Sequence, residues 1–285
     1  MKNEKLFQKI TDQVIDGLQD AKKWSKPWTS VTQAPHNGIS GRPYSGINWL
    51  ILSLTPYTSP QWLTFKGVQK LGGSVKGEKA TCVIYYNMTK VKDKDSGDDK
   101  LVPFARPHYL FNVEQVKDLD HTKLAGYRED VEDDVDLSKL TTPNLAYALG
   151  VDVVYGCDKA CFIPSVDKIN MPAAADFKDT ANFEATLLHE LVHWTGHKTR
   201  LNRLSDVSKE GYAFEELVAE LGSAMLGSIY GLPYEGLQHD SYIKSWLEAL
   251  GNDPKHIYKA SKLAGKAVNY LLENACALKA DVKAA

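Results

Sequence analysis

The pentapeptide His189-Glu190-Leu191-Val192-His193 concentrates more chemistry than any other stretch of the chain. Histidines four residues apart on a helix lie one turn apart and project the same way, so both imidazoles can ligate one Zn²⁺. Glu190, between them, is placed to take a proton from a water on that ion, which makes it the candidate catalytic base. A hydrolytic zinc site takes three protein ligands and keeps a fourth position open. The third is sought in GYAFEELVAELGSAML, where Glu216 and Glu220 stand one turn apart. In that arrangement Glu216 ligates the metal and Glu220 reaches back to a ring nitrogen of a ligand histidine. Glu215 is the rival for the ligand role, and spacing does not separate the two. The pattern HExxHxxGxxH fails, because Thr199 stands where its last histidine would be. His197 follows Gly196 too closely to ligate and is assigned a supporting or substrate-contacting place. A donor for the developing oxyanion is also needed, with Tyr212 preferred over Arg200 and His197. The chemistry this predicts is hydrolysis assisted by Zn²⁺ or another divalent transition metal such as Mn²⁺.

These side chains need helices to aim them. Asp179 or Thr180 can cap a helix with Phe183, Leu187 and Leu191 on an apolar stripe and Gly196 as its stop. In the next helical run Phe214, Leu217, Leu221, Met225 and Ile229 fall on a buried face. VDVVY and ACFIP are short strand-like runs before the first helix, and KINMP is expected to be an edge strand on which an extended peptide could lie. IKSWLEALGNDPKHIYKASKLAGKAVNYLLENA reads as helical to the end of the chain.

The first half is built differently. Phe7, Ile10, Val14 and Leu18 give the opening twenty residues an amphipathic helical pattern, followed by a loop stretch rich in Trp, Pro and Gly up to Asn48. NWLILSL is an apolar run suited to a buried helix or strand. TCVIYYNMTKV and LVPFARPHYLFNV have the β-branched and aromatic content of strands, with KDKDSGDDK as a solvated hairpin tip between them. This half is therefore α+β, and the acidic REDVEDDVDLSKL suggests a boundary that divides the chain into residues 1–128 and 129–285.

Charge separates the halves as well. Residues 1–111 hold 16 Lys and Arg against 9 Asp and Glu, a net +7, whereas residues 112–285 hold 18 against 27, a net −9. A basic half suggests a polyanionic partner. Its cations alternate with aromatics in KKWSKPW, GRPYSGINW and QWLTFKGVQKLGG, the composition that binds single strands by stacking bases and neutralising phosphates. Arg42, Lys66, Lys76 and Lys79 are the candidate phosphate contacts, and Trp28, Tyr44 and Trp62 the candidate stacking platforms. With 43% hydrophobic and 25% charged residues the chain falls outside disordered and collagen-like classes. No apolar run approaches membrane-spanning length, the N-terminus lacks a signal-peptide pattern, and the four cysteines lack CxxC spacing. A reduced, cytoplasmic protein is expected, with no membrane partner.

GRPYSGINWLIL, QWLTFKGVQKLGGSVKGEKATCVIYY and YLFNVEQ, followed by HELVHWTGHKTRLNR and GYAFEELVAELGSAML, together resemble the ArdC-type antirestriction proteins of plasmids and other mobile elements. Gly67 departs from the longer polar side chain frequent at that position in the family. The resemblance implies two domains: an N-terminal single-stranded DNA-binding domain, found also at the head of some plasmid primases, and a C-terminal zincin-like metallopeptidase domain. It implies metal and catalytic roles for His189, Glu190, His193 and Glu216, and a function in shielding incoming DNA from restriction. Three readings stay open: a DNA-binding protein whose peptidase cuts a restriction-related or DNA-bound protein, a DNA-coating protein with a non-catalytic metal, and a DNA-tethered protease that clears crosslinked proteins.

Overall fold

A computed structural model of the chain describes residues 6, 8–13, 34–92, 99–125, 142–205, 208–230, 232 and 256–284. Trp28, the hairpin tip at 93–98, the boundary at 128 and 129, and the helical run before His256 lie outside the described residues. Residues 8–13 are helical, with Leu6 and Ile10 buried.

Strands β1 (His36–Asn37), β2 (Gln61–Thr64), β3 (Thr81–Lys92) and β4 (Asp99–Asn112) form one sheet in the order β1-β2-β4-β3. β3 and β4 pair antiparallel from Thr81 opposite Leu110 to Lys92 opposite Asp99, so the two β-rich runs are one long hairpin. The apolar run after Asn48 falls in helix α1 (Gly46–Ser53), buried on nearly every side. Asn48 is its polar exception. Its Nδ2 donates to Ile84 O at 2.8 Å and its Oδ1 accepts from Ile84 N–H at 2.9 Å, so one side-chain amide occupies the free edge of β3 as a neighbouring strand would. Thr64 caps the short helix α2 (Phe65–Lys70) by accepting from Gly67 N–H.

In the second half, helix α3 (Thr142–Ala148) precedes β5 (Asp152–Tyr155), β6 (Cys161–Ile163) and β7 (Lys168–Met171). Their order is β5-β7-β6, with β5 parallel and β6 antiparallel to β7. KINM is thus the central strand and not the expected edge. Both of its flanks are hydrogen-bonded, and the edge facing the helices belongs to β6. Three helices complete this half: α4 (Thr180–Thr195), α5 (Lys209–Ile229) and α6 (His256–Ala284).

The main core runs through both halves without a break, from Ile47, Trp49, Trp62 and Ile84 to Leu187, Leu191, Leu221 and Leu271. Helix α6 makes the junction, packing on α1 as well as on α4 and α5. At the α1 crossing two glycines meet: a Cβ on Gly265 would lie 3.3 Å from Gly46 N, and one on Gly46, whose φ is +57°, would lie 3.3 Å from Ser261 O. A smaller cluster around Leu63, Val68, Phe111 and Val113 fills the space under α2.

Candidate metal centre

Asp179 caps α4 by accepting from Asn182 N–H at 2.8 Å, and Phe183, Leu187 and Leu191 pin the helix to the core. Ser208 caps α5 in the same way, accepting from Gly211 N–H. The two helices approach closely because position 222 has no side chain. A Cβ on Gly222 would come within 2.8 Å of Val192 Cγ2. From Leu217 to Ser228 every residue of α5 is buried, so the expected single buried face is a helix enclosed on all sides, by α4 on one flank and α6 on another.

This packing brings the His189 and His193 Nε2 atoms to 3.1 Å from each other, and to 3.5 Å each from the Glu216 carboxylate, through Oε2 and Oε1 respectively. Four donors at tetrahedral Zn²⁺ distances stand about 3.3 Å apart, so the spacing of these three matches an ion with one position left open. Among the described residues this is the one cluster of three or more His, Cys, Asp or Glu groups that could hold a metal. Glu216 is the carboxylate facing both Nε2 atoms. Glu215 points elsewhere, since adjacent helical residues diverge by about 100°, and its Oε1 lies 3.4 Å from His193 Nδ1. Glu220 Oε1 takes the equivalent place 3.3 Å from His189 Nδ1. Each imidazole is therefore held at its far nitrogen by its own carboxylate, which fixes the ring and leaves Nε2 for the metal.

Glu215 is in turn gripped by Arg203. Nε donates to its Oε2 at 3.1 Å and Nη2 to its Oε1 at 2.8 Å, while Nη2 also reaches Val192 O and Nη1 reaches Thr195 Oγ1, both at 2.8 Å. The arginine arrives because the chain turns back over the end of α4, where Arg203 N–H donates to Gly196 O. Gly196 does cap α4, but at φ −75° it needs no left-handed freedom. It needs to be small, since a Cβ there would sit 3.0 Å from Leu204 Cγ and 3.1 Å from Arg203 Nη2. No spacing or periodicity signals this role for Arg203, whose partner lies twelve residues away on another element.

Glu190 points from the same helix toward the sheet. Its Oε2 accepts the Phe162 N–H of β6 at 2.7 Å, a partner that sequence spacing does not reveal. Burial raises the Glu190 pKa, opposed by the two histidines and by the Phe162 amide. Burial would lower His189, but Glu216 and Glu220 outweigh it and hold it at about 10. The same contacts carry the Glu216 carboxyl far below its ordinary range despite its burial. Glu215 also lies below that range, because His193 and Arg203 overcome desolvation.

The remaining candidates are placed less centrally. His197 is buried, with Nδ1 2.7 Å from Thr199 Oγ1 and its ring edge-on to Phe162, so it supports β6 instead of a ligand imidazole. Arg200 is engaged with Asp167, Trp194 O and the Trp194 ring, which removes it as an oxyanion donor. Tyr212 lies one turn before Glu216 on the same helical stripe and is 67% exposed. In the N-terminal half Arg42, Lys66, Lys76 and Lys79 are all exposed. Trp62 is 1% exposed and edge-on to Tyr57, a core residue that no base can reach. Tyr44 is half-buried, packed against the core. Gly67 is enclosed too, with Ile39 Cδ1 3.1 Å from where its Cβ would be, so that position does not face a nucleic acid. Surface aromatics lie instead on α2, where exposed Phe65 adjoins Lys66, and on the hairpin. Tyr85 is 38% exposed, with Arg106 stacked 4.6 Å above its ring and His108 beside it, and Lys9 lies over exposed Tyr109.

The chain matches the family of the N-terminal domain of anti-restriction factor ArdC over residues 4–115 and that of zincin-like metallopeptidases over residues 141–263. Two Escherichia coli proteins named DNA primase TraC are 31% and 32% identical over 95% of this chain, which spans 27% and 20% of their respective lengths. The uncharacterized protein y4eC of Sinorhizobium fredii is 30% identical over 93% of this chain and 91% of its own. Crystal structures of the antirestriction ArdC protein from plasmid R388, one metal-free and one Mn(II)-bound, are 36% identical. They superpose with TM-scores of 0.76 and 0.75 over 95% of this chain and 98% of theirs. A Mn(II)-bound relative and the converging His189, His193 and Glu216 donors agree on a site for a divalent metal. Joined to a zincin-like half in an α+β chain of two domains, the ArdC-type N-terminal half makes this protein a member of the ArdC antirestriction family.

Proposed function

We propose that this protein guards DNA carried by a mobile element as it enters a new host cytoplasm. In this reading the N-terminal half holds the single strand, and the metal centre hydrolyses a peptide bond in a protein met on that DNA. The observation that carries the hydrolytic half is the joint placement of Glu190: next to His189 and one turn before His193, the two histidines that could hold a metal, and hydrogen-bonded to β6. A divalent ion, Zn²⁺ in this reading, would acidify a bound water and polarise a scissile carbonyl. Glu190 keeps one oxygen on the Phe162 amide and so has the other available to accept a proton. The edge of β6 not used by β7 runs beside Glu190; with the Phe162 N–H given to Glu190, an extended peptide can meet this edge at the Phe162 carbonyl. Tyr212, one turn before Glu216 and exposed, is the donor proposed for the oxyanion. Single-strand binding is supported by the basic first half, its exposed Arg42, Lys66, Lys76 and Lys79, and the Tyr85, Arg106 and His108 group on the hairpin.

The test is protection of transferred plasmid DNA in restricting cells carrying wild type, Glu190→Gln, or a Lys66/Lys76/Lys79 triple alanine variant, at matched expression. Loss of protection in both variants supports the full reading. Protection that survives Glu190→Gln but not the triple variant would move the function to DNA coating alone.

A further inference from the structure

We propose that Arg203 is the positioning residue of the metal centre: by clamping Glu215 against His193 Nδ1, it sets how tightly the site holds its ion. The inference rests on His189, His193 and Glu216 being the metal ligands. Of the two ligand histidines, His189 has as partner Glu220, which lies on the buried stretch of α5 and is 4% exposed. His193 depends on Glu215, in the second turn of α5, where the residues around it (Ala213, Phe214 and Glu216) are less buried than the middle of the helix. That carboxylate needs an outside anchor, and Arg203 supplies one from the far end of α4.

The geometry suits an arginine and no other cation. Its fork meets both oxygens of Glu215 and also Val192 O and Thr195 Oγ1, which belong to the helix that carries His193. One guanidinium therefore ties the α5 carboxylate to the α4 histidine turn, and its side chain is 5% exposed, sheltered from competing water. A lysine ammonium could reach one of these acceptors but could not span the pair of carboxylate oxygens. Gly196 is part of the same device, since any side chain there would press on the Nη2 that serves both Glu215 and Val192. With Glu215 loose, the His193 ring would lose the acceptor that fixes its tautomer and aim.

The experiment is titration of the full-length apoprotein with Zn²⁺ against a chelating dye, with the visible spectrum of the Co²⁺-loaded protein as a report on ligand geometry. Wild type, Arg203→Lys, Arg203→Met, Glu215→Gln and the Arg203→Met/Glu215→Gln pair would be compared, each with the melting temperature of its metal-free form. Arg203→Lys and Glu215→Gln are each expected to lower the metal-free melting temperature, since the pair is buried. In the protein that stays folded at the assay temperature, each is expected to weaken Zn²⁺ about 10- to 100-fold and to shift the Co²⁺ spectrum, which a loss of stability alone would not do. The pair should be no weaker than the poorer single variant, because both act through one contact. Should Arg203→Met fail to fold, Arg203→Lys and Glu215→Gln decide the question. Zn²⁺ affinity within twofold of wild type in both would overturn the proposal and leave Arg203 a strut for the loop. A wild type that binds no more Zn²⁺ than His189→Ala/His193→Ala would overturn the ligand assignment and the proposal with it.

Discussion

Two neighbouring carboxylates, Glu215 and Glu216, end up on opposite sides of one imidazole, and the helix angle between them assigns their work. Glu216 meets the two Nε2 atoms that converge where a metal could sit, and Glu215 meets the nitrogen turned away from that point. Removing charge from Glu190 should therefore separate binding from chemistry. Glu190→Gln is expected to retain stoichiometric Zn²⁺ while hydrolysis of a bound protein falls at least about 100-fold, as metal analysis and a cleavage assay on one preparation would show. Equal loss of both would place Glu190 among the ligands. Asp167 offers a test of a second contact, the pair that holds Arg200 beneath β6. Hydrogen bonding to Arg200 lowers the Asp167 pKa, so its stabilisation is fully present above the unfolded value near 3.9 and is lost as the pH falls through the lower folded value. The Asp167 side chain is 41% exposed, which screening discounts to about 0.5–1 kcal/mol. Wild type should melt above Asp167→Asn by a constant margin from pH 7 to pH 5, and the margin should close below about pH 3.9. A margin independent of pH would mean that packing and not charge holds Arg200. At this scale the two histidines and the Glu215, Glu216 and Glu220 group were legible as candidate donors, because His189 and His193 share one helix and the carboxylates another, while the choice of Glu216 over Glu215 came from the packing of the two helices. The partners Arg203 and Phe162 were not, since each reaches the site from a separate element and leaves no periodic trace.

Helices α4 and α5 carry the donors, so the depth of their packing sets the donor spacing. Gly222 permits that depth, and Val192 cannot yield to a new methyl because it is fully buried and stiff at χ1 on a helix. Gly222→Ala should cost about 1–3 kcal/mol and should weaken metal binding by pushing Glu216 and Glu220 away from the histidines. Gly227, later on the same helix, has nothing closer than 3.9 Å to a new Cβ. Its change to Ala should instead stabilise by about 0.5–1 kcal/mol. Chemical denaturation of both variants, with Zn²⁺ titration of each, checks the contrast; equal effects would show that helix propensity and not the crossing governs position 222. Periodicity revealed both helices and their caps, because a core-facing stripe repeats within the element itself. It could not show that α5 is enclosed all round, for the covering helix α6 comes much later in the chain. Nor could it place KINM at the centre of its sheet, because strand order depends on which distant segments pair.

The two halves differ in charge and match separate families, yet they share one hydrophobic core. Helix α6 continues past the region matched to the metallopeptidase family and lies against α1 of the other half, with Gly46 and Gly265 allowing the backbones to touch. Composition could separate a basic half from an acidic one, but this junction was not readable, since it joins residues 46 and 265 with no local pattern. A continuous core predicts that the halves lose structure together. Under conditions that report global opening, hydrogen exchange with mass spectrometry should give similar free energies for amides at Trp62 and Leu63 of β2 and at Leu187 and Leu188 of α4. Zn²⁺ at 100 times its Kd, bound only in the second half, should raise both sets alike by about 2.7 kcal/mol. Protection that rises in α4 alone, with β2 unmoved, would mean that the contact between α1 and α6 is too weak to couple the halves. If both rise, an ion in the metallopeptidase half stabilises the half proposed to hold DNA. By linkage, a ligand that binds only the folded N-terminal half would then stabilise the metal-bearing helices in return.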